Sequence, residues 1–501
     1  MATRPASGGS APRAAAPGLR PGLGPSIWVP LRYLATAQAA FLLAVTAAPF
    51  YAEGLADHYY LSHTFAFTHL LTLGWISMTI MGAAYQLVPV ALDAQLYSER
   101  LARWQYWPMV LGVIGIVAHF WMGHFNGMAW SAGLVLVAVL LFTWNLGATL
   151  WRMPRWGIVA KHVAAAVAFF LATALVGNLM ALDKVLGFWK GEVLNILHAH
   201  VHLAALGWVT MIIFGVAYRL IPMFSLAPDP DERMPNRQFW TFTAGVAGLY
   251  PTILLGSRLQ VLFALVTAAG IGLFVHQVAR IARARKKPVL DWGVRTALTA
   301  LGYLVVLVPV GLAFAAGLIP EGEFASRLAF AYGFLGLVGW VSLTIIGMMH
   351  KIVPFLVWFH RYSDLVGKEP VPALHQLYSE VWQRRGYWLL HAGILGTAAG
   401  LLAASPWILR GGLAVLAAAA WIFGFNMLAI YRHLRRPLTL SHTLSPAGGV
   451  GVRGLIKGFS KTGESDNGNR SRDHREPGPR GVEEGHRSGA GDQPRGPGPH
   501  L

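Results

Sequence analysis

The chain is predicted to be an all-α integral membrane protein, with twelve transmembrane helices in three four-helix repeats around a pseudo-threefold axis. Three observations predict this. The 501 residues are 55% hydrophobic and only 12% charged, with a mean hydropathy of +0.49, whereas a soluble domain carries roughly a quarter charged residues. Apolar runs recur at the length needed to cross a bilayer, about 20 residues each. One helical sequence also occurs three times at nearly constant spacing. Lipid offers no water to backbone N–H and C=O groups, so such runs are helices unless they close into a barrel.

Residues 1–26 are rich in Gly, Pro and Arg and are expected to form a disordered tail. They lack the short apolar core and cleavage site of a signal peptide, so the first apolar run, 28–50, is expected to remain as a span. Runs at 63–92, 105–123 and 129–151 complete a first repeat of about 27–155. Those at 160–182, 195–224, 238–257 and 259–280 make a second, about 156–288. Those at 294–318, 327–358, 386–405 and 407–431 make a third, about 289–435. Residues 436–501 are again polar and Gly/Pro-rich, and a second disordered tail is expected there.

Basic residues fall on every second loop: Arg100 and Arg103, then Arg152, Arg155 and Lys161, then Arg233 and Arg237, then Arg283, Arg285, Lys286 and Lys287, then Arg384 and Arg385. Alternate loops hold Glu53 and Asp57, a mixed set around Asp183 and Glu192, and Glu321 with Glu323. The positive-inside rule puts the basic loops and both termini in the cytoplasm, in a prokaryotic-type inner membrane. The net charge of +18 and pI near 10.3 largely express this sidedness, so the lipid bilayer is the expected partner and no nucleic-acid partner is inferred.

The repeated sequence reads "HLLTLGWISMTIMGAAYQLVP" from His69, "HLAALGWVTMIIFGVAYRLIP" from His202 and "FLGLVGWVSLTIIGMMHKIVP" from Phe334. The three align without a gap, Gly74, Gly207 and Gly339 recurring at intervals of 133 and 132 residues. Trp75, Trp208 and Trp340 coincide, as do Gly82, Gly215 and Gly347, and Pro89, Pro222 and Pro354. Small residues let membrane helices approach closely and Trp favours the interface. Packing therefore explains the Gly and Trp positions and leaves the histidines unexplained.

An imidazole inside a membrane is costly and by default marks a site. "HAHVH" places His198 and His202 about 40° apart around the helix, with His200 about 160° from either, so the cluster has two faces. His69 lies at the depth of His202, and His63 lies well round the same helix as a supporting or alternative ligand. His350 replaces the Tyr of the other two copies, Tyr85 and Tyr218, and is read mainly as a hydrogen-bonded structural imidazole, with a metal role as the lesser alternative. Those two tyrosines read as packing and hydrogen-bonding groups. His119 and His124 with Met122 and Met128 are a weak copper pattern and are read as a loop.

The pattern of His, twelve residues, Gly, two residues, Tyr, three residues and Pro is met at His69, Gly82, Tyr85 and Pro89, and again at His202, Gly215, Tyr218 and Pro222. It resembles the metal-bearing spans of subunit I in the heme–copper oxidase and nitric oxide reductase superfamily. "GAAYQLVP" and "HVHLAALGW" carry the likeness further, over about residues 28–435. The resemblance implies twelve helices in three arcs, non-covalent heme, b-type, and an electron-donor protein or quinol as partner. Because His69 and His202 lie at equal depth on spans that pseudosymmetry makes neighbours, they are expected as axial ligands of a heme between spans 2 and 6, with His200 a further axial-ligand candidate and His198 and His63 further cofactor-binding candidates.

Departures from the family are equally specific. Span 10 has Phe334 at the ligand position, and the His-x-His motif sits in span 6 instead. Spans 7 and 8 offer only His276 toward a copper site, so copper is not expected. No Asp or Glu lies in the middle of any expected span, which disfavours proton pumping. The chain has no cysteine, which excludes disulfides, thiolate-held iron–sulfur clusters and covalent C-x-x-C-H heme. The expected function is electron transfer or O2/NO redox chemistry, and whether the protein turns over a substrate stays open at this point. The alternatives are a histidine-based transporter or channel for protons or divalent metal, or a non-catalytic heme sensor or assembly factor.

Overall fold

The computed structural model describes residues 25–435. Apart from Pro25 and Ser26, the two expected disordered tails lie outside these residues. Among the described residues the chain is helical throughout, with no strand.

The helices are α1 (Trp28–Asp57), α2 (Ser62–Ala91), α3 (Glu99–Met122) and α4 (Phe125–Trp151). Then come α5 (Ile158–Leu186), α6 (Val193–Ser225), α7 (Arg233–Leu254) and α8 (Gln260–Arg283). The last are α9 (Trp292–Ala315), α10 (Glu323–Leu365), α11 (Glu380–Leu402) and α12 (Pro406–Arg432). Ten of these are long and apolar enough to cross a membrane. The other two, α7 and α11, begin in polar turns carrying Arg233 and Arg237, and Glu380, Arg384 and Arg385.

Local chemistry sets the ends. Ser98 and Ser379 cap α3 and α11 by accepting the N–H of Leu101 at 3.1 Å and of Trp382 at 3.3 Å, satisfying donors that the first helical turn leaves free. Asn145 accepts the Ser98 N–H at 3.0 Å and donates to its carbonyl at 2.8 Å. Asn426 holds Ser379 in the same way, at 3.2 Å in both directions. Gly123 and Gly187 close α3 and α5 in the left-handed conformation, at φ 70° and 62°. Pro49 removes a backbone donor inside α1, and the chain tightens there into a 3₁₀ turn, Ala48–Tyr51.

Helices α2, α6 and α10 each contain an eight-residue π-helical segment: Leu70–Ser77, Leu203–Thr210 and Leu335–Ser342. Each begins directly after His69, His202 or Phe334. π-Helical stretches are uncommon and concentrate at functional sites. Within them the three tryptophans are buried and form a closed cycle. Trp75 donates its indole N–H to Ser342 Oγ at 3.1 Å, Trp208 to Ser77 Oγ at 3.2 Å and Trp340 to Thr210 Oγ1 at 3.1 Å. Each helix therefore donates to one of the other two and accepts from the third, which pins their relative depth and rotation.

Further along, a Cβ on Gly82 would stand 2.7 Å from Tyr33 Cβ, on Gly215 2.3 Å from His162 Cβ and on Gly347 2.5 Å from the Gly293 carbonyl. These glycines let α2 lie against α1, α6 against α5 and α10 against α9 at backbone distance.

Candidate functional site

The histidines of α2 and α6 lie at the end of the bundle opposite the basic loops. His69 Nδ1 is 2.8 Å from the Phe65 carbonyl, and His202 Nδ1 is 2.8 Å from the His198 carbonyl. A carbonyl only accepts, so Nδ1 carries the proton in each ring and the Nε2 lone pair is left over. This is the arrangement in which a metal-ligating imidazole is oriented by its other nitrogen. His200 is held differently. Its Nδ1 is buried and bonded to no protein group, and its ring lies where a side chain on Gly177 of α5 would stand, 3.0 Å from the Cβ position.

The rings face different neighbours. His69 stacks on Phe120 of α3 with centroids 5.0 Å apart. His202 turns to α10, where the Tyr332 ring lies 6.3 Å away at 28°. Tyr332 holds the position in α10 that His200 holds in α6 and Phe67 in α2. Phe67 and Phe334 pack on one apolar cluster with Ala48, Leu55 and Leu413. The equivalent positions thus carry His69, His202 and Phe334 in one set and Phe67, His200 and Tyr332 in the other. Sequence reading missed Tyr332 and Gly177, although the ungapped repeat alignment extends to Tyr332 two residues before Phe334.

The remaining candidates stand apart. His198 is 6.4 Å from the Tyr59 ring. His63 sits among Tyr51 and Trp121, with centroids at 4.9 and 4.6 Å. His119 packs beneath Gly127 with its Nδ1 buried. His350 is buried at the far end of α10, its Nδ1 2.9 Å from the Ile346 carbonyl. Among the described residues no three His, Asp or Glu side chains come together as a chelate for a bare ion, so the cluster presents separate imidazoles.

At the basic end Asp291, at the head of α9, meets Lys351 Nζ at 2.8 Å and Lys287 Nζ at 3.2 Å. Burial alone raises a carboxyl pKa. Here Lys351, through its charge and hydrogen bond, outweighs burial together with the Val294 N–H and Lys287, and holds Asp291 below the ordinary carboxylate range.

The family model described as Cytochrome C and Quinol oxidase polypeptide I matches residues 131–258. The cbb3-type cytochrome c oxidase subunit CcoN1 of Stutzerimonas stutzeri is 27% identical over 189 residues, 34% of this chain and 38% of that protein. A cytochrome c oxidase subunit 1 homolog of Agrobacterium tumefaciens is 24% identical over 206 residues, 37% of this chain and 36% of that protein. Cytochrome c oxidase subunit 1 of Rhodobacter capsulatus is 23% identical over 190 residues, 34% of each chain. The chain is thus similar, at low identity and over about a third of its length, to proteins of the heme–copper oxidase subunit I superfamily. It spans little more than a third of the length of these superfamily relatives. This similarity and ten helices long and apolar enough to cross a membrane support an oxidase-like multi-pass membrane protein.

Proposed function

We propose that the protein binds b-type heme at the boundary of α2 and α6 and acts in electron transfer, with His69 and His200 as the paired imidazoles. What supports this is that α2 and α6 are joined by the Trp208–Ser77 bond, with His69 Nε2 uncommitted on one helix and His200 Nδ1 buried without a protein partner on the other. Repeats related by rotation make head-to-tail contacts, in which a residue meets a non-equivalent residue of the next copy. His69 and His202 are equivalent positions, so His200 is the better partner for His69. The orphaned Nδ1 of His200 and the free Nε2 of His69 are a donor set that suits iron. A heme held by two imidazoles has both axial positions filled and supplies a one-electron carrier. His69 is oriented by Phe65 and Phe120, while Gly177 makes room for His200. His202, facing Tyr332, is a second candidate ligand. His198 and His63 line the outer approach.

The same reading takes α1–α12 as twelve spans in three arcs, over about 27–155, 156–288 and 289–435, a view supported by the cyclic tryptophan bonds and the matched π segments. It places the basic loops and both termini in the cytoplasm of a prokaryotic-type cell. An electron-donor protein or quinol is the partner, and a complete copper site and proton pumping are not part of the function.

The test is a reduced-minus-oxidised visible spectrum with pyridine hemochrome quantitation on detergent-purified protein. Sharp α bands at stoichiometric heme are expected, lost in His69→Ala and His200→Ala and retained in His202→Ala. Loss in His202→Ala with retention in His200→Ala would return the pairing to His69 and His202. A featureless spectrum after expression with ample heme would sink the heme reading itself.

A further inference from the structure

A second set of polar side chains recurs at the opposite end of the bundle, and its third copy differs from the first two. In the first repeat Tyr33 and Tyr85 both donate to Gln105 Oε1, the Tyr85 bond measuring 3.1 Å. In the second, Tyr218 donates to Gln238 at 3.1 Å, and His162 is held between Gln238 at 3.0 Å and the Ile158 carbonyl at 2.9 Å. All of these groups are buried, and each node ties the repeated helix to the two helices beside it.

The register of the third copy follows from independent contacts. Ser379 and Asn426 bond each other as Ser98 and Asn145 do. Gly393 packs on Leu416 as Gly112 packs on Val135. In that register Gly386 stands where Gln105 stands in the first repeat. His350 stands where Tyr85 stands, and Thr296, which lies against Gly347, takes the place of Tyr33 against Gly82. All three node positions therefore hold smaller side chains.

What remains is a cavity lined by Thr296, His350, Gln383, Gly386 and Asn426 among others, with about 10 Å³ open to the centre of a water-sized sphere. One water needs about that much. Two buried polar atoms of the lining have no protein partner, His350 Nε2 and Gln383 Nε2. Their chemistry is complementary. His350 Nδ1–H is committed to the Ile346 carbonyl at 2.9 Å, so Nε2 is an acceptor, while the Gln383 amide nitrogen is a donor. Both cannot be left unbonded in a membrane interior at low energy. Asn426 and Thr296 are already bonded, to Ser379 and to the Trp292 carbonyl, so they do not satisfy the pair.

We propose that this cavity is a binding site for one ordered water, which donates to His350 Nε2 and accepts from the Gln383 amide, replacing the Tyr–Gln bond of the other two repeats. The proposal is independent of heme binding, because it rests on residues at the other end of α10.

The test is the structure of the full chain at a resolution that shows bound water, for wild type and for His350→Tyr. A density peak within about 2.7–3.2 Å of both nitrogens is expected in the wild type. In His350→Tyr the phenol occupies the cavity, as Tyr85 does in its own repeat, and the peak is lost. If His350→Tyr does not fold, Gln383→Leu serves instead and also removes the peak. Well-defined His350 and Gln383 side chains with no peak between them would overturn the proposal, as would a peak that persists in the variant.

Discussion

Replacing Trp208 by Phe removes one link of the tryptophan cycle together with part of the buried indole volume. The Phe ring keeps the stack on Phe170, whose centroid lies 4.1 Å away with planes at 8°. The bond lost is that of the indole N–H to Ser77 Oγ at 3.2 Å. Trp208 is 2% exposed and Ser77 3%, so neither group recovers a bond to water. Side-chain hydrogen bonds between membrane helices average about 0.6 kcal/mol in double-mutant cycles and reach about 1.7 kcal/mol. Truncating one partner alone leaves the other buried and unpaired, at about 1–3 kcal/mol. Trp208→Phe should therefore destabilise by more than Ser77→Ala, because it also leaves a void in the core, and the double variant by less than their sum. The coupling should lie at about 0.6–1.7 kcal/mol, a shift in the folding equilibrium of about 3- to 18-fold. The measurement is equilibrium unfolding of wild type, both single variants and the double variant in mixed detergent–dodecyl sulfate micelles. Strict additivity would refute the reasoning. It would mean that the bond contributes nothing to holding α6 on α2 and that packing alone sets their rotation.

Two further outcomes are expected. Gly347→Ala would put a Cβ 2.5 Å from the Gly293 carbonyl and 2.9 Å from the Ala297 amide nitrogen. These obstacles are backbone and do not swing aside, so α10 must move off α9 at about 1–3 kcal/mol, visible as a lower thermal midpoint in detergent. Asp291 has a depressed pKa in the folded protein. Its contribution to stability is thus complete above the unfolded carboxylate pKa and is lost as pH falls through the lower folded value. Thermal scans should show stability falling below about pH 4, with a shallower fall in Asp291→Asn. Equal slopes for the two proteins would contradict this role for the Lys351–Asp291–Lys287 group.

Much of the fold was legible because its causes are local. The start of each helix lies within a few residues of the apolar run that predicts it, except that α3, α7 and α11 begin five to six residues earlier, in polar turns outside any hydropathy signal. The cap Ser98 marks the start of α3, a signal the hydrophobic pattern ignored. The π segments were not legible, because "LLTLGWIS" and "LAALGWVT" carry no residue that forbids an ordinary α-helix. The tryptophan cycle needed each indole to find a hydroxyl in another repeat. Ser77, Thr210 and Ser342 looked like ordinary small residues of a membrane helix.

The site divides along the same line. By itself the sequence determined that His69 and His202 hold the same position in two copies of one repeated segment, and that the third copy has Phe334 there. Composition and repeat spacing were enough for that, since position along a helix follows from counting residues. Only the tertiary structure decided what each ring faces: His69 toward Phe120, His200 toward Gly177, His202 toward Tyr332, Phe334 and Phe67 on a shared apolar cluster. The physical reason is that a residue's direction around its helix acquires a neighbour only when the helices are set in rotation against one another. Here that rotation is set by buried indole–hydroxyl bonds and glycine contacts between segments more than a hundred residues apart or on different helices.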